Sequence, residues 1–237
     1  MKRWQTAMVR VCLICFFFFW AAVSAYCQRI TLGANVGEAF DRFGALPQQS
    51  GPEAVFDGEG IVLKSPDKNF GADVLAGFEV RAPLDTNNHA DELAVYGGVG
   101  FRIGRNLEIG FHGQVHRIYL PPSTVDGQVF DRARLSLLET PGFVQYKFGP
   151  DKHAFVRAEG GPEFSPRYKA PANAGIPNPN LDHGYYVRGS LGYNFGKFYV
   201  KGTYETRYFK FRDNTGNPND LYNWRSGMAT GGVGIVF

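Results

Sequence analysis

Eight stretches of this chain, residues 70–84, 92–104, 106–120, 134–149, 152–168, 184–196, 197–211 and 223–237, place apolar side chains at every second position. Period-two alternation makes a β-strand whose two faces differ chemically. One parity carries Val74, Phe78, Val95, Phe101, Ile109, Phe111, Val144, Phe148, Val187, Leu191, Phe198 and Val200. The other carries the acids Asp73, Glu79, Glu108, Glu139, Glu159, Glu163 and Glu205 against the bases Arg81, Arg102, Lys147, Arg157, Arg188, Lys201 and Arg207. A sheet with one apolar and one charged face must hide one of them, and closing it into a barrel does so without leaving edges. Alternation alone does not say which face is inside. A lipocalin-like barrel buries the apolar face, whereas a barrel in lipid turns that face outward.

The connections give the missing direction. Residues 104–106, 149–152 and 196–197 are short, Gly-containing turns, whereas 121–133, 169–183 and 212–222 are long and rich in Pro, Asn, Asp and Gly. Short and long connections alternate, so all the short turns lie at one end of an antiparallel bundle. Membrane barrels have this asymmetry, with short turns toward the periplasm and long loops outside. An even strand count returns both chain ends to the short-turn side. Aromatics gather at the ends of the runs: Phe101, Phe148, Phe195, Phe198 and Phe237 at one end, Tyr119, Tyr185 and Tyr208 at the other, as expected of two interfacial girdles.

The amino-terminal stretch has the form of an export signal. Lys2, Arg3 and Arg10 precede the apolar run at residues 11–23, and Val23-Ser24-Ala25 offers small residues for cleavage. We expect residues 1–25 to be a signal peptide, with cleavage as late as 27 as the other choice. Tyr26 stands before Cys27 where a lipoprotein signal wants a small residue, which argues against lipidation. Without Lys2, Arg3 and Arg10, the 25 Lys+Arg are reduced to the number of Asp+Glu, 22, so bulk charge gives no case for nucleic acid. Cys12 and Cys15 leave with the leader, and one remaining cysteine makes neither an internal disulfide nor a thiol-rich metal site.

The hairpins YGGVGFRIGRNLEIGFHG (96–113) and YVRGSLGYNFGKFYVKGTYETRYF (186–209) and the tail ATGGVGIVF (229–237) resemble the small outer-membrane β-barrel family that includes OmpA- and OmpX-type proteins. The resemblance spans residues 73–237. It implies an all-β, transmembrane, antiparallel up-and-down barrel in the cell outer membrane. It further implies that Val233, Ile235 and Phe237 form the C-terminal signal read by the outer-membrane assembly machinery. That family includes anchoring, adhesive, protective and lipid-modifying members, so the fold assigns no task.

Eight strands over residues 70–237 are the favoured count, with 28–69 as an N-terminal extension. Val36, Ala39, Phe40, Phe43 and Leu46 fall at helical spacing there, and alternation around Asp57 and Glu59 is poor. The alternative is ten strands, with 29–37 and 54–64 as a further hairpin and 65–69 as its connection.

Eight strands enclose a space that side chains can fill, whereas open aqueous channels belong to barrels of about 16 strands. We expect Glu79, Arg81, Arg102, Glu108, Glu139, Lys147, Arg157, Glu159, Arg188, Lys201, Glu205 and Arg207 to form a charge network in the lumen. His112 and His116 are about 13 Å apart along a strand and cannot share a metal; they read as lumen hydrogen-bonding groups. His89, His183 and Ser123 lie in the long loops without the spacing of a catalytic triad. The oxygen-rich loop 212–220 lacks the ligand spacing of a calcium loop. Arg117, Lys210 and Arg225 combine lipid-facing parity with the long-loop end and are the candidates for contact with lipopolysaccharide phosphates.

The expectation is a non-enzymatic, monomeric barrel without cofactor or metal, partnered by outer-membrane lipid, with a structural or surface-interaction role. The alternatives are a small porin-like or gated channel, and a lipid-modifying enzyme or protease.

Overall fold

The computed structural model describes residues 29–43, 48–67, 69–84, 91–119, 123–125, 128–130, 134–149, 151–169, 180–212 and 221–237. The stretch expected to be a signal peptide (1–25), His89 and residues 213–220 lie outside the described residues. The strands are β1 (Arg29–Phe43), β2 (Gln49–Leu63), β3 (Phe70–Pro83), β4 (Asp91–Ile103), β5 (Leu107–Tyr119), β6 (Ser123–Val125), β7 (Gln128–Phe130), β8 (Arg134–Glu139), β9 (Gly142–Phe148), β10 (Ala154–Lys169), β11 (Asn180–Phe195), β12 (Phe198–Arg212) and β13 (Leu221–Val236).

All pairings are antiparallel. β1 bonds to both β2 and β13, and β11 bonds to both β10 and β12, so the sheet closes on itself. β6 and β7 form a separate hairpin in the connection between β5 and β8. β8 and β9 share one place in the wall. On β5, Gln114 faces Glu139 and Phe111 faces Gly142 in one continuous register. Between the two pieces stands Pro141, which has no N–H to donate to the ladder, while its carbonyl still accepts from the His112 amide at 3.0 Å. The result is an all-β, closed antiparallel barrel with ten strand positions.

Ten positions correct the favoured count of eight. β1 and β2 are zipped between β13 and β3, and the physical reason for the misreading lies in β2. Its outward parity reads Phe56, Gly58, Gly60, which has little apolar content. The space above Gly58 is filled by neighbours instead: a Cβ there would meet the Phe78 ring at 2.5 Å and Leu32 at 3.0 Å. Similarly, the Phe40 ring lies over Gly227 on the outer surface, so Val36 and Phe40 belong to a strand face, where single-sequence spacing suggested a helix.

The short turns sit at one end. Gly104 and Gly196 take positive φ, 65° and 79°, in the β4–β5 and β11–β12 turns, a conformation that costs glycine little. Between β2 and β3, the Asp67 carboxylate accepts the amides of Asn69 (2.7 Å) and Phe70 (3.1 Å), which hold its pKa below the usual carboxylate range. The turn therefore loses this support as pH falls through that lowered pKa.

The outer surface is apolar. Val95, Phe111, Val187, Leu191 and Val233 are each more than half exposed. Phe101, Phe148, Phe195, Phe198 and Phe237 are exposed at the short-turn end, and Tyr185 and Tyr208 pack ring to ring (5.4 Å) toward the other end. Buried positions are instead shared evenly between apolar residues and charged or polar ones, with apolar residues such as Ile118, Leu135, Phe209 and Trp224 toward the long-loop end.

Candidate functional site

The buried polar residues lie on the inward parity of strands on opposite sides of the barrel, so their contacts cross the lumen. Arg81 on β3 reaches Glu205 on β12 at 2.7 Å, and Arg188 on β11 reaches Glu79 on β3 at 3.0 Å. Arg157 on β10 reaches Glu59 on β2 at 3.1 Å, and Lys201 on β12 pairs with Asp57 on β2. None of these strand pairs are neighbours in the wall.

Two zones differ in packing. Toward the long-loop end, Glu205 is shared by Arg81, Arg188 (2.5 Å) and Arg207 (2.8 Å). Arg207 also lies 3.8 Å from Glu139 and 3.6 Å from Glu92. His116 sits between those two carboxylates, Nε2 3.0 Å from Glu92 and Nδ1 3.0 Å from Glu139, and Gln114 donates to Glu139 at 2.7 Å. Side-chain exposures of Arg81, His116, Glu139, Glu205 and Arg207 are 2% or less. Beyond this cluster Phe209 stacks on Trp224 with centroids 4.8 Å apart.

Toward the short-turn end the lumen opens into a cavity of about 180 Å³ lined by Asp57, Glu59, Glu108, Lys147, Arg157 and Lys201 among others. Lys147 is held loosely here, 4.0 Å from Glu108 and 32% exposed. Arg102 closes one side by bonding Asp73 (3.0 Å) and the Ser65 carbonyl (2.9 Å). At the boundary between zones, Glu159 holds Arg157 at 3.0 Å and accepts the Tyr186 hydroxyl at 2.7 Å. Replacing Tyr186 with phenylalanine removes a buried hydrogen bond to a charged group. We expect a loss of roughly 1.5 to 3 kcal/mol in unfolding free energy, measured by urea titration of the protein in vesicles.

All twelve residues assigned from sequence to the charge network lie inside in ion pairs. Among the described residues, the inward acids that sequence reasoning missed include Asp41 on β1, Glu53, Asp57 and Glu59 on β2, and Glu92 near the start of β4. Glu92 shares parity with Tyr96 and Arg102, which is the signal that would have placed it inside. Glu163 stands opposite Glu139 in register, and neither of its buried oxygens has a hydrogen-bond partner.

His112 and His116 both point inward but make separate contacts. His112 lies 4.8 Å from the Tyr96 ring and 3.7 Å from Glu159. Among the described residues no group of three or more His, Cys, Asp or Glu is disposed to hold a metal. His183 is exposed on β11, its ring 6.2 Å from Tyr208.

On the outer surface, Arg117 and Arg225 are exposed and Lys210 half-exposed near the long-loop end. Val233, Ile235 and Phe237 face outward along the β1–β13 seam, where Phe237 and Ile30 exchange backbone hydrogen bonds of 2.8 and 3.2 Å.

No family model matches the chain, and no curated protein matches it. Among solved structures it is similar to Neisserial surface protein A, at TM-score 0.36 and 12% identity over 87% of this chain and 96% of the other. It is also similar to the outer membrane protease OmpT from Escherichia coli, at 0.41 and 14% over 89% and 97%. A third is the outer membrane protein OprG from Pseudomonas aeruginosa, at 0.39 and 9% over 90% and 97%. Likenesses this distant leave the family and the activity to the chain's own residues.

Proposed function

We propose that this chain is a monomeric, non-enzymatic β-barrel of the cell outer membrane, with a closed lumen and a structural or surface-interaction role. In this reading a signal peptide exports it, the assembly machinery reads Val233, Ile235 and Phe237, and the long loops form the contact surface. The apolar exterior supports the membrane, because a surface carrying Phe111, Val187 and Leu191 more than half exposed is unfavourable in water. The observation that carries the closed lumen is the cluster of Arg81, Glu205, Arg207, Glu139 and His116, buried and packed across the barrel.

The full mature chain, refolded and inserted into planar bilayers, is expected to show heat-modifiable gel mobility and no discrete conductance steps. Steps that vanish when Arg102, Arg157 or Glu159 is changed would establish the channel reading instead, which the 180 Å³ cavity at the short-turn end favours. Altered lipid A mass or peptide cleavage that depends on His89 or His183 would establish the enzyme reading.

A further inference from the structure

Inside the barrel, the cations Arg81, Arg102, Arg157, Arg188, Lys201 and Arg207 each have a carboxylate partner. On the outer surface the rule reverses. Arg42 of β1 and Arg225 of β13 are direct cross-strand partners, both exposed and both on the outward parity near the long-loop end. Like charges directly opposite one another destabilise a sheet, yet neither guanidinium forms an ion pair among the described residues.

Their surroundings are built for an anion at a lipid boundary. Arg225 is also the cross-strand partner of Tyr208, with its guanidinium carbon 5.7 Å from that ring's centroid. Tyr208 donates its hydroxyl to Asn223 at 2.9 Å, and Lys210 is the register partner of Asn223 on the same outward face. The nearest outward acid along β1 is Glu38, about 13 Å from Arg42 at strand rise. Just inward of the pair, Phe40 packs over Gly227 in the apolar belt. A free phosphate gains nothing from that belt. A lipid whose acyl chains lie against it presents its headgroup at the height of the two arginines.

We infer that Arg42 and Arg225, with Lys210 and the Tyr208 ring, form a binding site for a phosphate monoester on the headgroup of an outer-leaflet lipid. Arginine is suited to this task because its fork makes paired, charge-assisted bonds to phosphate oxygens. The bound phosphate also removes the repulsion between the two guanidinium groups. The inference rests on the membrane-barrel reading and adds a defined ligand class and residue pair to it.

The test uses the full mature protein refolded into three kinds of vesicle: phosphatidylcholine alone, phosphatidylcholine with phosphatidylglycerol, and phosphatidylcholine with bisphosphorylated lipid A. Lipid retained after detergent extraction is counted by native mass spectrometry, and unfolding midpoints are read in urea. Wild type is expected to retain lipid A and to gain stability from it more than from phosphatidylglycerol. Arg42→Gln/Arg225→Gln is expected to insert into phosphatidylcholine as wild type does but to bind lipid A about tenfold to thirtyfold more weakly. Arg105→Gln, in the opposite-end turn, is expected to match wild type. Equal lipid A retention by wild type and the double variant overturns the inference, as does an equal gain from phosphatidylglycerol. Failure of wild type to insert into any vesicle overturns the membrane-barrel reading and this inference with it.

Discussion

Replacing Glu205 with alanine should lower the unfolding free energy of the inserted barrel by about 3 to 5 kcal/mol, among the largest effects of a single substitution in this chain. Glu205 is the carboxylate on which Arg81, Arg188 and Arg207 converge, at 2.7, 2.5 and 2.8 Å. Without it, three cations face one another inside the barrel, and Glu79, Glu92 and Glu139 offset only part of that charge. Urea titration in vesicles, followed by tryptophan fluorescence, measures the change. Adding Arg188→Leu should recover part of the loss, because the residues act as one network and their effects do not add. A change below about 1 kcal/mol for Glu205→Ala would mean that water reaches the cluster and screens it. The same variant should then show conductance steps where wild type shows none.

This network was only half legible in the sequence. Parity along a strand tells which residues share a face, so alternation groups most of the inward set from β3 to β12, and the long and short connections say which way that face points. Partners do not follow, because they are set by the tilt and stagger of the closed wall. Lys201 and Asp57 are 144 residues apart and meet only because β12 and β2 face each other across the lumen. Strand count failed for a related reason. The outer face of β2 is finished by Phe78 and Leu32 from its neighbours, so the strand itself needs no apolar residue at Gly58 and reads as poorly patterned. With β2 set aside, Asp57 and Glu59 were invisible as lumen acids, and Arg42 on β1 could not be seen beside Arg225. The wall position split between β8 and β9 was legible as one strand, since Pro141 removes a hydrogen bond without shifting the register.

Which face meets lipid is decided by introducing a charge on it. Val187 lies at mid-height on β11, 52% exposed, opposite Gly160 on β10 and Thr206 on β12. In a bilayer, Val187→Arg places a guanidinium in hydrocarbon and should reduce stability by about 2 to 4 kcal/mol. The same substitution at Ser190, three residues along and on the inward parity, places the charge beside the open cavity instead. There it meets Thr203, which shares a hydrogen bond of 3.1 Å with Ser190, and the cost is local crowding with water within reach. Stability measured in vesicles should therefore fall further for Val187→Arg than for Ser190→Arg. A water-soluble barrel with the same strands predicts the opposite order, because an outward arginine would then be solvated and nearly neutral in effect. A smaller penalty at Val187 than at Ser190 would place water, and not lipid, around this barrel.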